Sequence, residues 1–167
     1  KPNLREREGI YVPSSTAGGN VINKDLGKVL DLTKSYGDDT IFIAIHCNAS
    51  GSGGATTSSG VQVYYRDSAS DPNDKVNMKY YKNYDDAKRL KLAKAMLKHT
   101  RENTDFGYTW PNPFKKDFHV LREQNLPSVL MEIGFVNNPN DVKLLNQKQT
   151  RENAAKGMYL GIVDFFK

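Results

Sequence analysis

Residues 40–50 read TIFIAIHCNAS, and this stretch decides the fold. A short apolar run predicts a strand over 40–45. His46 then stands at the strand's exit, followed by small and polar residues, where a side chain can reach a cleft. Residues 127–138, PSVLMEIGFVNN, repeat the arrangement, with Glu132 inside an apolar run and a glycine turn after it. A carboxylate among Val129, Leu130, Met131 and Ile133 is costly to bury charged unless a cation, a proton or a hydrogen bond compensates it. A metal held by His46 is one such compensator. The ordinary alternatives are a hydrogen-bonded strand-end histidine and a glutamate turned to water by period-two alternation. The flanking Leu130, Met131 and Ile133 argue against a plain solvent face for Glu132.

Outward from these two stretches the organisation is readable in pieces. Residues 14–20 (SSTAGGN) read as a loop before a helix over 26–34, and 36–39 as a turn. The tract 51–60, GSGGATTSSG, has almost no side-chain packing capacity and predicts a mobile loop beside His46, either a connector or a substrate edge. VQVYY at 61–65 alternates like a second strand, and 67–79 is polar and irregular. Asp85 or Asp86 caps a predicted helix running to about Thr100, with Leu90, Ala93, Met96 and Leu97 inward and the Lys and Arg residues elsewhere. The aromatic and proline-rich stretch 106–114, FGYTWPNPF, reads first as a packed connection and second as a carbohydrate platform. Further expectations are a short strand at 118–121, a helical turn at 141–145, and a closing helix over 150–166 capped by Thr150 and packed through Ala154, Met158, Ile162 and Phe165. Strands interspersed with helices indicate an α/β layer fold, read as a single domain over 1–167.

Composition bounds the function. The chain has 167 residues, 38% of them hydrophobic, enough for one core. No apolar run approaches the roughly 20 residues of a membrane-spanning helix. Lys1 does not open a signal peptide, so any targeting segment is expected to lie outside this sequence or never to have existed. The formal charge of +5 favours anionic surroundings such as nucleic acid, acidic lipid or a cell wall. Basic residues alternate with acids, however, and no basic face is interleaved with a recognition motif, which argues against nucleic acid. Cys47 is the sole cysteine, which excludes an intrachain disulfide and a thiolate zinc cluster.

IAIHCNAS, GVQVYY, HVLREQNLPSVLMEIGFVNNPND and the closing GIVDFF, taken in order, resemble the catalytic domain of the zinc-dependent N-acetylmuramoyl-L-alanine amidases over residues 4–166. The resemblance implies a twisted mixed sheet flanked by helices, a zinc cofactor with His46 as ligand, and Glu132 as the catalytic residue. It implies cleavage of the amide joining the lactyl group of N-acetylmuramic acid to L-alanine in peptidoglycan, by a bacterial protein that is secreted or cell-wall associated. In such a site Glu132 takes a water proton and returns it to the departing nitrogen. The family normally opens on a strand ending in a Gly-His-Gly-Gly-like motif, followed by a glutamate ligand. Neither is present in this sequence, so one ligand of three is assigned, the others are expected upstream of Lys1, and weak zinc binding by this chain alone is expected. His119 is read as a substrate contact, and Asn48 as either a substrate-side orienting group or a turn residue. His99 reads as an exposed helix residue, Glu6 and Glu8 as surface ion-pair residues, and Arg7 as structural. The alternative function is a non-catalytic peptidoglycan-binding remnant of the fold.

Overall fold

The computed structural model describes residues 36, 39–51, 54–68, 84–108, 110–122 and 124–167. The apolar run at 40–45 lies in β1, Phe42–Asn48, which extends three residues beyond Ile45. His46 therefore lies within the strand. The extension follows from pairing: β1 runs parallel to β4, Ser128–Phe135, with Phe42 opposite Ser128, His46 opposite Glu132 and Asn48 opposite Phe135. Between the last two pairs β1 advances two residues and β4 three, a bulge in which Gly134 takes a φ of +71°. Only glycine fits there. A Cβ would also lie 2.7 Å from the Phe106 ring.

β2, Val61–Tyr65, pairs antiparallel with β4, and β3, Phe114–Lys115, pairs parallel with β2. The order among the described strands is β1-β4-β2-β3, a mixed four-stranded sheet with helices packed against it. Alternation along the strands divides the faces. Val61, Val63, Tyr65, Val129, Met131 and Ile133 join the core. Gln62, Tyr64, Glu132 and His46 fall on the opposite face.

Two long helices cover the core face: α1, Asp86–Glu102, and α4, Lys148–Phe165. Asp85 caps α1 by accepting the Lys88 N–H at 2.9 Å, as the sequence indicated. Leu92, Ala93, Met96 and Leu97 are buried, while Leu90 only borders the core. The two helices meet at glycines. A Cβ on Gly157 would stand 2.6 Å from the His99 carbonyl oxygen and from the Thr100 Cα, and one on Gly161 would stand 3.0 Å from the Met96 Cα. Ala154 and Phe165 are buried, with Met158 and Ile162 packed beside them. Between β4 and α4 lies α3, Pro139–Asn146, capped by Asn138.

Several expectations are corrected. Residues 118–121 do not form a strand but lead into a helical turn, α2, His119–Arg122, closed by N–H groups of Leu121 and Arg122 on the Phe118 carbonyl. Four residues of alternation fit a turn as well as a strand, and Leu121 alone turns fully inward. α4 starts at Lys148 with Gln147 as a cap lacking a side-chain hydrogen bond, and Thr150 sits buried inside the first turn. Arg89 is fully buried rather than on the solvent face of α1. It has no room to stay solvated, so it donates to the carbonyls of Leu121 and Gln124 and to Ser128 Oγ, and lies over the Tyr84 ring. Burial pulls its guanidinium down to about 10 and pushes the Tyr84 hydroxyl up to about 12.

The described part of 51–60 is tethered, contrary to the mobile loop expected. Asn137 donates to the Ser50 and Gly54 carbonyls, and Asn138 donates to the Ser58 carbonyl. The buried Asp141 carboxylate accepts from Ser59 Oγ at 2.5 Å and from the Gly60 N–H at 3.1 Å. Side chains from the α3 end of the fold supply what the tract itself lacks. The loop over 14–20 and the helix over 26–34, with Glu6, Arg7 and Glu8, lie outside the described residues.

Candidate active site

His46 and Glu132 are register partners on neighbouring parallel strands, so their side chains leave the sheet side by side on the face away from α1 and α4. His46 is exposed and Glu132 half-buried. Glu132 Oε2 is buried without a hydrogen-bond partner. Burial raises the Glu132 carboxyl above the ordinary carboxylate range, and the neighbouring His46 partly offsets the rise.

Gln62 occupies the other side of Glu132, as its antiparallel register partner. The Gln62 side chain is itself fixed: Asn48 Nδ2 and the Tyr64 hydroxyl both donate to its Oε1 at 2.7 Å. With that oxygen occupied, the amide NH2 is its donor end. The Tyr64 hydroxyl is raised by burial and by the Glu132 charge, and the Asn48 hydrogen bond pulls the other way. Cys47 is raised for the first two reasons as well. The face thus carries a carboxyl, an imidazole, two amides and a phenol within one strip across three strands.

Of the residues singled out in the sequence, His46, Glu132 and Asn48 come together. His119 is exposed at the start of α2, where its Nδ1 lies 3.3 Å from Arg122 Nη2. Arg122 also pairs with Asp117, which accepts from the buried Arg66. His119 follows Phe118, whose ring packs on Tyr64 at 5.3 Å, so it flanks the strip without joining its hydrogen bonds. His99 lies between α1 and α4, bonded to Asp164 at 3.1 Å, on the other side of the sheet. Gln62 and Tyr64 escaped the sequence reading. Their signal was the alternation of VQVYY, whose even-numbered members share a face with Glu132 once the strand order is known.

Residues 18–164 match the family described as N-acetylmuramoyl-L-alanine amidase. The chain belongs to that family. An uncharacterized cell wall amidase of Bacillus anthracis is 32% identical over 149 residues, 89% of this chain and 25% of the relative. The germination-specific N-acetylmuramoyl-L-alanine amidase of Bacillus subtilis is 26% identical over 165 residues, 97% of this chain and 60% of its own. Among solved structures, the catalytic domain of CwlV, an N-acetylmuramoyl-L-alanine amidase from Bacillus (Paenibacillus) polymyxa, aligns with a TM-score of 0.63 at 26% identity, covering 84% of this chain and 65% of that one. The CwlD amidase from Clostridioides difficile shares the fold with a TM-score of 0.68 at 23% identity, covering 94% of this chain and 70% of that one. The chain thus spans a quarter of the Bacillus anthracis relative and 60% of the Bacillus subtilis one. No helix among the described residues is long and apolar enough to cross a membrane.

Proposed function

We propose that the chain carries the hydrolytic face of a peptidoglycan amidase that cleaves the bond between the lactyl group of N-acetylmuramic acid and L-alanine. The observation that carries this reading is the cross-strand pair of His46 and Glu132, with one glutamate oxygen buried and unpartnered. Glu132 takes a proton from the attacking water as its oxygen bonds to the amide carbon, then delivers that proton to the nitrogen as the C–N bond breaks. The products are a lactyl carboxylic acid and the free amine of L-alanine. Gln62, held by Asn48 and Tyr64, presents its amide NH2 beside this path as a donor for substrate oxygen. His119 borders the strip as a further substrate contact. Secretion or attachment to the cell wall is part of the same reading.

We further propose that His46 supplies one ligand to a zinc ion. The fit rests on an exposed imidazole beside a carboxylate with an orphaned oxygen. Bound zinc would supply a more acidic water and a polarised carbonyl. Among the described residues no three His, Cys, Asp or Glu side chains converge, so the remaining ligands are not among them. The second reading is a peptidoglycan-binding remnant without turnover.

Zinc-supplemented protein and purified peptidoglycan, assayed for newly exposed alanine amines, separate the two. The amidase reading expects turnover that falls by roughly 10²–10⁴ in Glu132→Gln with the fold intact. Undiminished turnover in that variant rejects the role of Glu132, and binding without turnover in the parent protein supports the remnant.

A further inference from the structure

We infer that the aromatic row formed by Tyr108, Trp110, Phe114, Tyr64 and Phe118 is a sugar-binding subsite that takes the glycan strand, a polymer of N-acetylated hexosamines, beside the hydrolytic strip. This rests on the peptidoglycan reading above and names a part of the substrate which that reading leaves unplaced. The rings form an unbroken series. Tyr108 to Trp110 is 4.9 Å between centroids, Trp110 to Phe114 5.2 Å, Phe114 to Tyr64 5.4 Å, and Tyr64 to Phe118 5.3 Å. One stretch of the row reaches the reacting face, because the Tyr64 hydroxyl bonds to Gln62, the register partner of Glu132. Its far end is open, with Tyr108 51% exposed.

Packing alone does not account for the row. Within the same loop Phe106 is 6% exposed and belongs to the core on the helix side of the sheet. The five rings belong to neither the core nor its fringe, and each keeps part of its surface in water. The loop therefore anchors itself through Phe106 and displays the others. It is also fixed in place. Arg101 donates to the Trp110 carbonyl at 3.1 Å, and Trp110 Nε1 donates to the Ser59 carbonyl at 3.2 Å. The backbone of Gly60 presses so closely on Tyr108 that a Cβ there would stand 2.0 Å from its carbonyl oxygen. A platform ordered beforehand loses little freedom on binding.

The chemistry selects the ligand. A pyranose ring offers an apolar face of C–H bonds, and an aromatic face with its negative quadrupole accepts those hydrogens while sheltering them from water. Polar groups at the rim then fix orientation. Lys94, Lys98 and Arg101 line a groove with Pro111, Asn112 and Pro113 on the neighbouring side of the loop, and an anionic polymer is the competing occupant.

Trp110 is the sole tryptophan, so its fluorescence reports on the row directly. Titrating the whole chain with a tetramer of N-acetylglucosamine is expected to give a saturable shift, and Tyr108→Ala or Phe114→Ala to weaken it roughly three- to tenfold. In kinetics, Trp110→Ala is expected to raise KM for polymeric peptidoglycan about tenfold more than KM for a single-sugar muramoyl peptide, with Trp110→Phe restoring most of the difference. A saturable shift with polyphosphate and none with the tetramer would overturn the proposal, as would equal KM changes on both substrates, which mark a merely structural role. Retained hydrolysis with no sugar-induced shift refutes the subsite alone. Sugar binding by a protein that does not hydrolyse peptidoglycan keeps the subsite and removes the amidase reading.

Discussion

Replacing Asp141 by alanine is expected to be among the most damaging single changes in this fold, and the structure sets the size of the effect. The carboxylate is fully buried at the start of α3, where it takes the Ser59 hydroxyl on one oxygen and the N–H groups of Gly60 and Phe135 on the other. Alanine leaves those donors without an acceptor, and each stranded buried group costs about 1–3 kcal/mol. The position in the first turn of a helix adds a few tenths of a kcal/mol of favourable dipole interaction that is also lost. The expected loss is about 3–5 kcal/mol, which for a chain of this length lowers Tm by about 10 °C. Asp141→Asn separates the hydrogen bonds from the charge. Its oxygen can keep the two N–H groups while its NH2 donates to a rotated Ser59 hydroxyl, so only about 1–2 kcal/mol is lost. Urea and thermal unfolding of the three proteins decide the matter. An alanine variant within about 1 kcal/mol of the parent, or an asparagine variant as unstable as alanine, refutes the reasoning.

Gly157→Ala is expected to destabilise by about 1–3 kcal/mol despite the better helix propensity of alanine, because the clash is with α1 backbone. Gly161→Ala should cost less, since its nearest neighbour is the flexible Met96 sulfur, and thermal melts of the pair check the order. Arg89→Lys is expected to lose about 2–4 kcal/mol in denaturant unfolding, because one ammonium cannot span the Leu121 and Gln124 carbonyls that the guanidinium fork joins. For the metal, in a protein that carries the remaining ligands, a chelator is expected to stop hydrolysis and added zinc to restore it, with no restoration in His46→Ala. Chelator-resistant turnover removes zinc from the account.

The fold and the two leading candidate residues, His46 and Glu132, were legible for a local reason. TIFIAIH and SVLMEIGF are short apolar runs whose polar members break the pattern at one place each, and such breaks survive without knowledge of the partner strand. Gln62 and Tyr64 were not legible, because an alternating VQVYY does not say which face meets Glu132 until the order β1-β4-β2-β3 is known. Arg89 misled for a related reason. On a helix surface crowded with lysines, a buried guanidinium looks like one more solvated charge, and only the carbonyls of a segment more than thirty residues away reveal it. The tract 51–60 read as slack because its own residues are small. Its restraints come from Asn137, Asn138 and Asp141, which no local window contains.

That distance along the chain governs when the strip of His46, Glu132 and Gln62 can exist. Ser59 and Asp141 are 82 residues apart, Ser50 and Asn137 87, and β1 has its only described strand partner in β4. Contacts of such separation form late, because closing the intervening loop costs entropy before the pairing returns any. During synthesis, the imidazole of His46 waits without its strand partner until the strand bearing Glu132 and the helix bearing Asp141 have both emerged. On the reading proposed above, the hydrolytic face would form only once β4 and α3 have docked against β1 and the 51–60 tract.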